Sequence, residues 1–363
     1  MTEDLGDPGA FLRVVVVAPP WYAVPPPAYG GIEALVAGLV SGLVDRGHEV
    51  TLISVGGSDS AGKLVETYDE PQFPLIGTEL TSTVHAAEAL EIVRDMGPDV
   101  VHDHTGAFAL GAASLDMPVV LTVHGPPDGE PGRYLAAVGP YVHLVAISHA
   151  QRAMTPELPW FDTVYNGLDL ADFPLCTERG DHALFLGRMS PDKGAHVAID
   201  VAQAAGRRLK LAGKCTEPAE VEYFEQYVEP RLGPDVEWVG ELGNGDKQAA
   251  LCAAACLLFP LQWDEPFGLV VVEALACGTP VLSLARGAIP ELMADGVTGF
   301  VRERPEDLVP LFDELASIDP AACRQHVADR FTIQHTVLGY EQVYRNAVIA
   351  GQSPGRTGPE DRG

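Results

Sequence analysis

The stretch DEPFGLVVVEALACGTPVL, residues 264–282, decides how the second half of the chain is expected to fold. It carries Glu265 and Glu273 eight residues apart, with five apolar residues among those between them. Proline favours the first turn of a helix and Gly-Thr-Pro a helix end, so the stretch predicts a helix over residues 266–277. Glu265 is then expected in the loop before this helix and Glu273 about two turns inside it. A buried charge is costly unless it is paired, so both carboxylates require a partner.

A ligand with hydroxyl groups at both ends and a negative group between them would satisfy this arrangement. Carboxylates accept hydrogen bonds from sugar hydroxyls, and the amides at a helix N-terminus favour an anion. The amides of Phe267, Gly268 and Leu269 lie at the start of the predicted helix, where they have no partner within it.

Short apolar runs recur along the chain with helical stretches between them. Continuously apolar strands that alternate with helices are typical of parallel sheets covered on both faces, so the pattern predicts two doubly wound α/β domains in tandem. The runs are LRVVVVA, EVTLISV, DVVHD, PVVLTV and HLVAIS in the first half, and ALFLGR, RLKLAG, CLLFP and PVLSL in the second.

The domain boundary is expected after VYNGLDLADF, because its Asn-Gly pair is a turn signal and polar residues follow it. The N-terminal domain is predicted over residues 1–168 and the C-terminal domain over 169–335. A helix over 336–350 is expected to return to the N-terminal domain. Residues 351–363 have no apolar pattern, which predicts a flexible tail.

Composition and charge describe an acidic globular protein. The chain has 363 residues, of which 47% are hydrophobic, and a net charge of −28. A nucleic-acid partner requires a basic surface and is excluded on this ground. Residues 1–166 carry six Lys and Arg against 21 Asp and Glu, a net of −15, so this half has few cations for an anionic ligand or membrane. An acidic bias of the whole proteome explains the imbalance equally well.

The hydropathy, the N-terminal residues and the cysteines predict a cytoplasmic protein. No transmembrane segment is expected, because the aliphatic run near the start falls short of the roughly 18 apolar residues that one requires. The opening MTEDLGD lacks the basic region of a secretory signal. The six cysteines lie in the second half with no C-x-x-C pair, which favours reduced thiols. Cys252 and Cys256 are spaced to share a helix face, but no His or second cysteine pair accompanies them as in a metal site.

The first domain lacks the features of a dinucleotide-binding domain. LRVVVVA leads into a proline-rich loop without G-x-G-x-x-G, and EVTLISV ends without the acidic residue that would hold a ribose. Gly30-Gly31 then stands immediately before the helical pattern IEALVAGLVSGLVDRG. Bare amides at a helix N-terminus are suited to a phosphate, although a plain flexible loop end is an equally good interpretation.

The stretch FLGRMSPDKG places two cations at the end of a predicted strand. Arg188 follows the strand and Lys193 lies five residues later in a turn. Ligands of open α/β sheets bind at the carboxyl ends of strands, so Arg188 and Lys193 are suited to neutralise a diphosphate, and two solvated loop cations are the alternative. No two aspartates stand two residues apart to hold a divalent ion for a nucleotide-sugar, so neither a metal nor another cofactor is expected.

Together these motifs resemble the retaining glycosyltransferases of family 4, which have the GT-B fold of two Rossmann-like domains with a deep interdomain cleft. Glu265 and Glu273 match the E-x7-E region, GRMSPDKG the Arg/Lys diphosphate loop, and YGGIEALVAGLVSGLVDRGHEVTLIS the N-terminal glycine loop and helix. DVVHDHTG, LTVHG, AISHA and VYNGLD occur between them in the expected order, and the resemblance covers residues 12–345. Ala288 departs from the family's G-G-x-P-E turn, in a loop outside the two glutamates.

In the second domain, the resemblance implies a nucleoside-diphosphate sugar as donor. Glu273 would bind the ribose hydroxyls and Glu265 the hydroxyls of the donor sugar. The three amides before and within the helix start would contact sugar and phosphate. Arg188 and Lys193 would stabilise the leaving diphosphate, where charge builds in the transition state.

In the first domain, the resemblance implies that Gly30 and Gly31 approach the distal phosphate. His124 in LTVHG matches the family's histidine near the donor sugar, with a purely structural role as the alternative. His102 and His104 of DVVHDHTG either line the acceptor side or pack in the core.

The reaction implied is sugar transfer with retention of anomeric configuration by front-side displacement. A leaving-phosphate oxygen would help to deprotonate a small-molecule or glycan acceptor, so no residue acts as a nucleophile. The alternatives are a GT-B nucleotide-sugar epimerase, a phosphorylase or a non-catalytic nucleotide-sugar sensor. Nothing marks the pyridoxal lysine of a phosphorylase, and the intact set of glutamates and cations favours a transferase over a sensor. No pattern indicates an oligomeric state.

Overall fold

The computed structural model describes residues 11–27 and 30–351. Contacts between Cα atoms divide the chain into two units, one of residues up to Asn166 together with those from Ile333 onward, and one of Gly167–Thr332. The limits of the second unit thus differ from the predicted 169–335 by two and three residues. Beyond Gly351, the predicted tail lies outside the described residues.

The described residues form thirteen strands, all of which belong to parallel sheets. They are β1 (Arg13–Val17), β2 (Glu49–Val55), β3 (Lys63–Tyr68), β4 (Val100–Asp103), β5 (Val119–Val123), β6 (His143–Ala146), β7 (Trp160–Thr163), β8 (His182–Leu186), β9 (Arg208–Ala212), β10 (Val236–Gly240), β11 (Cys256–Phe259), β12 (Val281–Leu284) and β13 (Gly299–Arg302).

Eleven α-helices of the described residues alternate with these strands. They are α1 (Gly31–Asp45), α2 (Glu79–Met96), α3 (Gly129–Val138), α4 (His149–Met154), α5 (Ala195–Ala204), α6 (Pro218–Tyr223), α7 (Asn244–Ala253), α8 (Leu269–Ala276), α9 (Ile289–Leu292), α10 (Pro320–Arg330) and α11 (Ile333–Ala350).

The first unit is a parallel sheet with helices on both faces. Its strand order is β3-β2-β1-β4-β5-β6-β7. Successive side chains of a strand point to opposite faces, so Val14 and Val16 of β1 pack in one core cluster with α1 and α11, and Val15 and Val17 pack in the other with α2 and α3. Both faces of the central strands are therefore buried, which explains their continuous apolar sequence.

The last helix belongs to the first unit. Its Tyr340 and Tyr344 are fully buried, and they share a core cluster with Leu39 and Leu43 of α1. Glu341 adds a partly buried ion pair, since its Oε2 accepts from Arg46 Nε of the α1 C-cap at 2.6 Å. Helix α11 thus fills the sheet face next to α1.

The second unit is a six-stranded parallel sheet in the order β10-β9-β8-β11-β12-β13. Helix α8 is buried on most of its surface, as its sequence LVVVEALA indicates. The predicted fold class of two tandem doubly wound domains is confirmed, and each of the nine predicted apolar runs overlaps an observed strand.

Two predictions about the cysteines are wrong. The structure contains a disulfide between Cys176 and Cys252, which the irregular cysteine spacing did not indicate. Cys252 and Cys256 also do not share a helix, because α7 ends at Ala253 and Cys256 begins β11. The chain passes from helix to strand within three residues, so the helical spacing of the two cysteines is coincidental.

Among the helices that the structure describes, none combines the length and the apolar character needed to cross a membrane.

Candidate active site

Helix α8 begins later than the sequence predicts. It spans Leu269–Ala276 instead of 266–277, because Gly268 adopts φ 103°, a backbone conformation that interrupts the helix and favours glycine. Pro266 therefore lies in the preceding loop and not in the first helical turn. Glu273 is consequently about one turn inside the helix rather than two.

The start of α8 leaves backbone amides outside the intrahelical ladder. The amide of Val271 donates to the carbonyl oxygen of Gly268 at 3.0 Å, so those of Leu269 and Val270 precede the first bond of this turn. The three predicted amides, those of Phe267, Gly268 and Leu269, thus bracket the helix start. A helix N-terminus carries partial positive charge and favours an anion.

Glu265 lies in the loop before α8 and is already paired. Its Oε2 accepts from Lys193 Nζ and, at 3.1 Å, from Trp263 Nε1. Lys193 Nζ also lies 4.7 Å from the centre of the Trp263 ring, within the range of a cation–π contact. The side chains of Lys193 and Glu265 are only 14% and 13% exposed, so the pair is largely shielded from solvent.

The loop at Gly287 and Ala288 holds the backbone of Glu265. The Ala288 amide donates to the Glu265 carbonyl oxygen at 2.8 Å, and the Gly287 amide donates to Asp264 Oδ1 at 3.0 Å. A Cβ on Gly287 would lie 2.2 Å from that same carbonyl oxygen, so this position requires glycine. Ala288, the departure from the family's two-glycine turn, has φ −77° and ψ −7°, which any residue adopts.

Glu273 is also paired within the chain. Its Oε1 accepts from Lys247 Nζ of α7 at 2.6 Å. From the sequence, a ligand is the expected partner of both carboxylates, whereas the structure pairs them with Lys193 and Lys247 of the chain itself. The two carboxylates are held in fixed positions before any ligand binds.

Arg188 lies two residues after β8 and is surrounded by carboxylates. Its guanidinium is 3.6 Å from Asp192 Oδ2 and 3.9 Å from Glu220 Oε1. Glu220 is buried, and its Oε2 accepts from the backbone amides of Thr216 and Glu217 at the start of α6. Arg188 and Lys193 thus both lie between β8 and α5, but the ion pairs assign them to different partners.

In the first unit, Gly30 is the N-cap of α1 and Gly31 is the first residue of that helix. A Cβ on Gly30 would lie 2.7 Å from Pro26 Cβ and 3.0 Å from Glu33 Oε2, so the backbone here is closely approached. Glu33, in the first turn of α1, is 4% exposed, and burial raises the pKa of its carboxyl to about 7. The sequence pattern did not mark Glu33, because an acidic residue in a first helical turn is commonplace.

The three histidines of the first unit that the sequence singles out differ in their surroundings. His102 is fully buried, and its Nδ1 and Nε2 lie 2.7 Å from Tyr344 Oη and Thr122 Oγ1, so it packs in the core. His104 and His124 are joined to each other, with His104 Nδ1 2.9 Å from His124 Nε2. Burial lowers the pKa of His124 to about 4, so its ring is neutral at physiological pH.

Asp103, the last residue of β4, lies between His102 and His104 and closes the following loop. Its Oδ1 accepts from the amide and the hydroxyl of Thr105, both at 2.7 Å, and its Oδ2 from the Ala109 amide at 3.0 Å. Burial raises the pKa of this carboxyl to about 6, against the effect of these hydrogen bonds. These hydrogen bonds give Asp103 a structural role that needs no ligand.

Two contacts of the site were not predicted from the sequence, those of Lys247 and Trp263. Lys247 stands 26 residues before Glu273 and Trp263 two before Glu265, in positions where no spacing rule applies. Trp263 adjoins the quoted stretch, so its proximity could have been inferred. Within residues 11–27 and 30–351, no group of three His, Cys, Asp or Glu side chains is arranged to hold a metal ion.

The comparisons with known proteins agree with this architecture. The family model described as "Glycosyltransferase Family 4" matches residues 29–172, and that described as "Glycosyl transferases group 1" matches residues 176–325. The glycogen synthase of Mycobacterium tuberculosis is 26% identical over an alignment of 407 positions, covering 94% of this chain and 97% of that protein. The phosphatidyl-myo-inositol mannosyltransferase of Propionibacterium freudenreichii is 29% identical and covers 78% of this chain and 80% of its own.

A solved structure extends the likeness to three dimensions. AviGT4, a glycosyltransferase involved in avilamycin A biosynthesis, superposes with a TM-score of 0.72 at 28% identity, covering 94% of this chain and 99% of that one. The chain is therefore an enzyme of the glycosyltransferase class with the GT-B fold of two Rossmann-like domains. Within that class it belongs to the family 4 group, whose two family models match its two halves in order.

Proposed function

We propose that this glycosyltransferase moves a sugar from a nucleoside-diphosphate sugar to a small-molecule or glycan acceptor, with retention and without a metal ion. The observation that carries the proposal is the Lys193–Glu265 pair beside the N-terminus of α8. Lys193 follows β8 and Glu265 follows β11, and these strands are neighbours in the sheet. Their carboxyl ends are where an open α/β sheet binds ligands.

The glutamates are suited to recognise the two hydroxyl-bearing parts of the donor. Lys247 engages Oε1 of Glu273, which leaves Oε2 to accept from ribose hydroxyls. Lys193 and Trp263 engage Oε2 of Glu265, which leaves Oε1 to accept from hydroxyls of the donor sugar. The amides at the start of α8 are suited to the diphosphate that joins these parts.

The cations are suited to the charge that develops on the leaving diphosphate. An ammonium has three donors, and Glu265 uses one of those of Lys193, so phosphate oxygens can accept from the others. The carboxylates nearest to Arg188 lie at 3.6 and 3.9 Å, which leaves its planar guanidinium able to bind phosphate in a bidentate manner. Charge stabilised by such groups lowers the barrier to departure of the diphosphate.

In this proposal no side chain of the protein takes the proton of the acceptor. In the front-side displacement that the family resemblance implies, an oxygen of the leaving phosphate takes the acceptor's proton, and no side chain attacks the sugar. Gly30, Gly31 and His124 of the first unit keep their predicted roles toward the distal phosphate and the donor sugar as part of this proposal.

Two alanine variants test the assignment through turnover. We expect Glu265→Ala and Lys193→Ala each to lower kcat/KM by at least about 2 kcal/mol of transition-state stabilisation, or about 30-fold. The substrate is the nucleoside-diphosphate sugar identified by thermal-shift screening of UDP, GDP, ADP and TDP, because a tight ligand raises the melting temperature. The assay is run with and without a metal chelator, and loss of turnover with the chelator would contradict metal independence.

Lys210→Ala is the matched control for these variants. Lys210 is a lysine of the same unit in an exposed ion pair with Glu237, so its loss should leave kcat/KM within about twofold. Thermal melts of all three variants separate loss of catalysis from loss of folding. Near-native turnover in both Glu265→Ala and Lys193→Ala would contradict the assignment.

For the acceptor, we propose a neutral or cationic small molecule, such as one that contains an amino sugar, rather than an anionic phospholipid. The family resemblance implies that the N-terminal domain holds the acceptor and the C-terminal domain the donor, and residues 1–166 have a net charge of −15. Of their few cations, Arg13, Arg46 and Arg133 are paired with carboxylates. A relative is named a phosphatidyl-myo-inositol mannosyltransferase, so the proposal separates this chain from that activity.

Vesicle binding tests the acceptor proposal. We expect no measurable cosedimentation with vesicles rich in anionic phospholipid at low or physiological salt, since the acidic surface repels them. Neutral phosphatidylcholine vesicles are the control. Tight binding that weakens as salt is raised would overturn the proposal.

A further inference from the structure

His104 and His124 share a hydrogen bond that the proposed chemistry does not yet use. His104 follows β4 and His124 follows β5, and these two strands are neighbours in the first sheet. The side chains at their carboxyl ends therefore meet, with His104 Nδ1 2.9 Å from His124 Nε2. The contact lies wholly within the first unit.

The two rings have different surroundings. His104 is 3% exposed, and its ring centre lies 3.9 Å from that of His102 and 6.4 Å from that of Tyr340. His124 is only partly buried, and among the described residues its Nδ1 has no hydrogen-bond partner. His104 is therefore fixed in the core, whereas Nδ1 of the less buried His124 is not engaged by any described residue.

The shared bond couples the tautomers of the two rings. Both rings are neutral, since burial lowers the pKa of each, so one nitrogen of the pair carries the proton and the other accepts it. If His124 Nε2 were the donor, His104 would carry its proton on Nε2, which is buried and has no partner among the described residues. Buried N–H groups without a partner are rare in folded proteins, which disfavours this tautomer.

We propose that His104 is a positioning residue that donates from Nδ1 to His124 Nε2, which fixes His124 as the tautomer protonated on Nδ1. His124 then presents an N–H donor from the carboxyl end of β5, suited to an oxygen of the donor sugar. This last step rests on the proposed function, whereas the tautomer does not. A hydrogen bond to one ring nitrogen is a general means of setting what the other nitrogen offers.

Nuclear magnetic resonance of the whole, substrate-free protein tests the tautomer directly. In protein labelled with ¹⁵N-histidine, long-range ¹H–¹⁵N spectra distinguish protonated from bare ring nitrogens, and His124→Ala assigns the His124 signals. We expect His124 to be protonated on Nδ1 and unprotonated on Nε2. A His124 protonated on Nε2 overturns the proposal whether or not the protein transfers sugar.

Variants of His104 test whether its effect passes through His124. His104→Asn keeps a donor close to the position of Nδ1, whereas His104→Leu removes it. We expect His104→Leu to lower kcat/KM about tenfold, the scale of one lost hydrogen bond in the transition state, and His104→Asn to recover most of this loss. The His124 signals should show mixed tautomers in His104→Leu and the native tautomer in His104→Asn.

A double-mutant cycle and a matched control complete the test. In a His124→Ala background, His104→Leu should cause little further loss, since coupled residues are not additive. Thr122→Val, on β5, removes buried hydrogen bonds to His102 of β4 and to Tyr340 but none to His124, and it should lower thermal stability but not kcat/KM. Equal losses from His104→Leu with and without His124 would show that His104 acts elsewhere and would overturn the proposal.

Discussion

At the scale of single residues, the pairing of Glu265 bears on how the proposed donor would bind. The carboxylate already accepts from Lys193 and Trp263, so a ligand is not needed to neutralise it. In the proposed function, the donor joins a set of side chains that are held in place beforehand, which spares the entropic cost of ordering them on binding. The same pairing makes removal of the Glu265 carboxylate alone costly, because Lys193 would then lose its partner in a largely buried position.

The loop at Gly287 and Ala288 gives a residue-scale prediction. Gly287 has φ 52°, and a Cβ there would meet the Glu265 backbone at 2.2 Å. We expect Gly287→Ala to destabilise the second unit by at least about 2 kcal/mol and to lower kcat/KM more than about tenfold, because the Glu265 segment must move. Urea denaturation and steady-state kinetics measure the two effects.

Ala288→Gly is the control in the same loop. It restores the two-glycine pattern of the family and keeps the Ala288 amide that donates to Glu265. We expect it to cost about 1 kcal/mol of stability, from a lost buried methyl and added backbone freedom, with kcat/KM within about twofold. Equal kinetic effects of the two substitutions would contradict the assignment of the strain to the Gly287 Cβ.

At the scale of elements, burial explains which strands were predictable. The nine strands found from the sequence are largely buried, and β11, with the sequence CLLF, and the four valines of β1 are continuous apolar runs. The strands that were missed, β3, β7, β10 and β13, are the four edges of the two sheets. Edge strands are partly exposed and carry polar residues, as in KLVETY of β3, so the pattern of buried parallel strands does not apply to them.

The site was predictable only where its residues belong to one local stretch. Glu265, Glu273 and the start of α8 lie within a single helix signature, and Arg188 and Lys193 within a single loop. Partners from other elements, such as Lys247, become visible only once the strand order is known. Even the start of α8 was misplaced, because the left-handed conformation of Gly268 has no unique sequence signal.

The disulfide gives a prediction at the scale of elements, since Cys252 lies on α7 together with Lys247, the partner of Glu273. It closes a separation of 76 residues, for which loop entropy gives about 4 kcal/mol and measured disulfides typically 2–4 kcal/mol. We expect Cys252→Ser to lower the free energy of unfolding by about 2–4 kcal/mol without reductant. With reductant, variant and parent should converge to within about 1 kcal/mol, because both then lack the cross-link.

Thiol titration provides the independent check of the cross-link. The unfolded, unreduced chain should show four reactive thiols, those of Cys215, Cys256, Cys277 and Cys323, and six after reduction. Cys215→Ser, at a partly exposed free thiol, is the matched control and should leave stability unchanged. Six thiols before reduction would show that Cys176 and Cys252 are not joined.

At the scale of the whole molecule, one of the two units is discontinuous in the sequence. The second unit is one continuous segment, Gly167–Thr332, whereas the first needs residues from both ends of the chain. Helix α11 supplies Val337, Tyr340 and Tyr344 to the core cluster that also contains β1 and α1. Each fully buried side chain of this size is worth about 1.5–3 kcal/mol, so the helix contributes an amount comparable to a domain's net stability.

This division predicts that the two fragments behave differently. Residues 167–332 should fold alone and unfold cooperatively, since they contain all six strands of their sheet and the disulfide. Residues 1–166 alone should show no cooperative transition by circular dichroism, because loss of α11 exposes one face of the sheet. Adding the peptide 333–351 should restore a transition, and a peptide with Tyr340→Ser and Tyr344→Ser should not. Cooperative unfolding of 1–166 without the peptide would show that α11 is dispensable to this core.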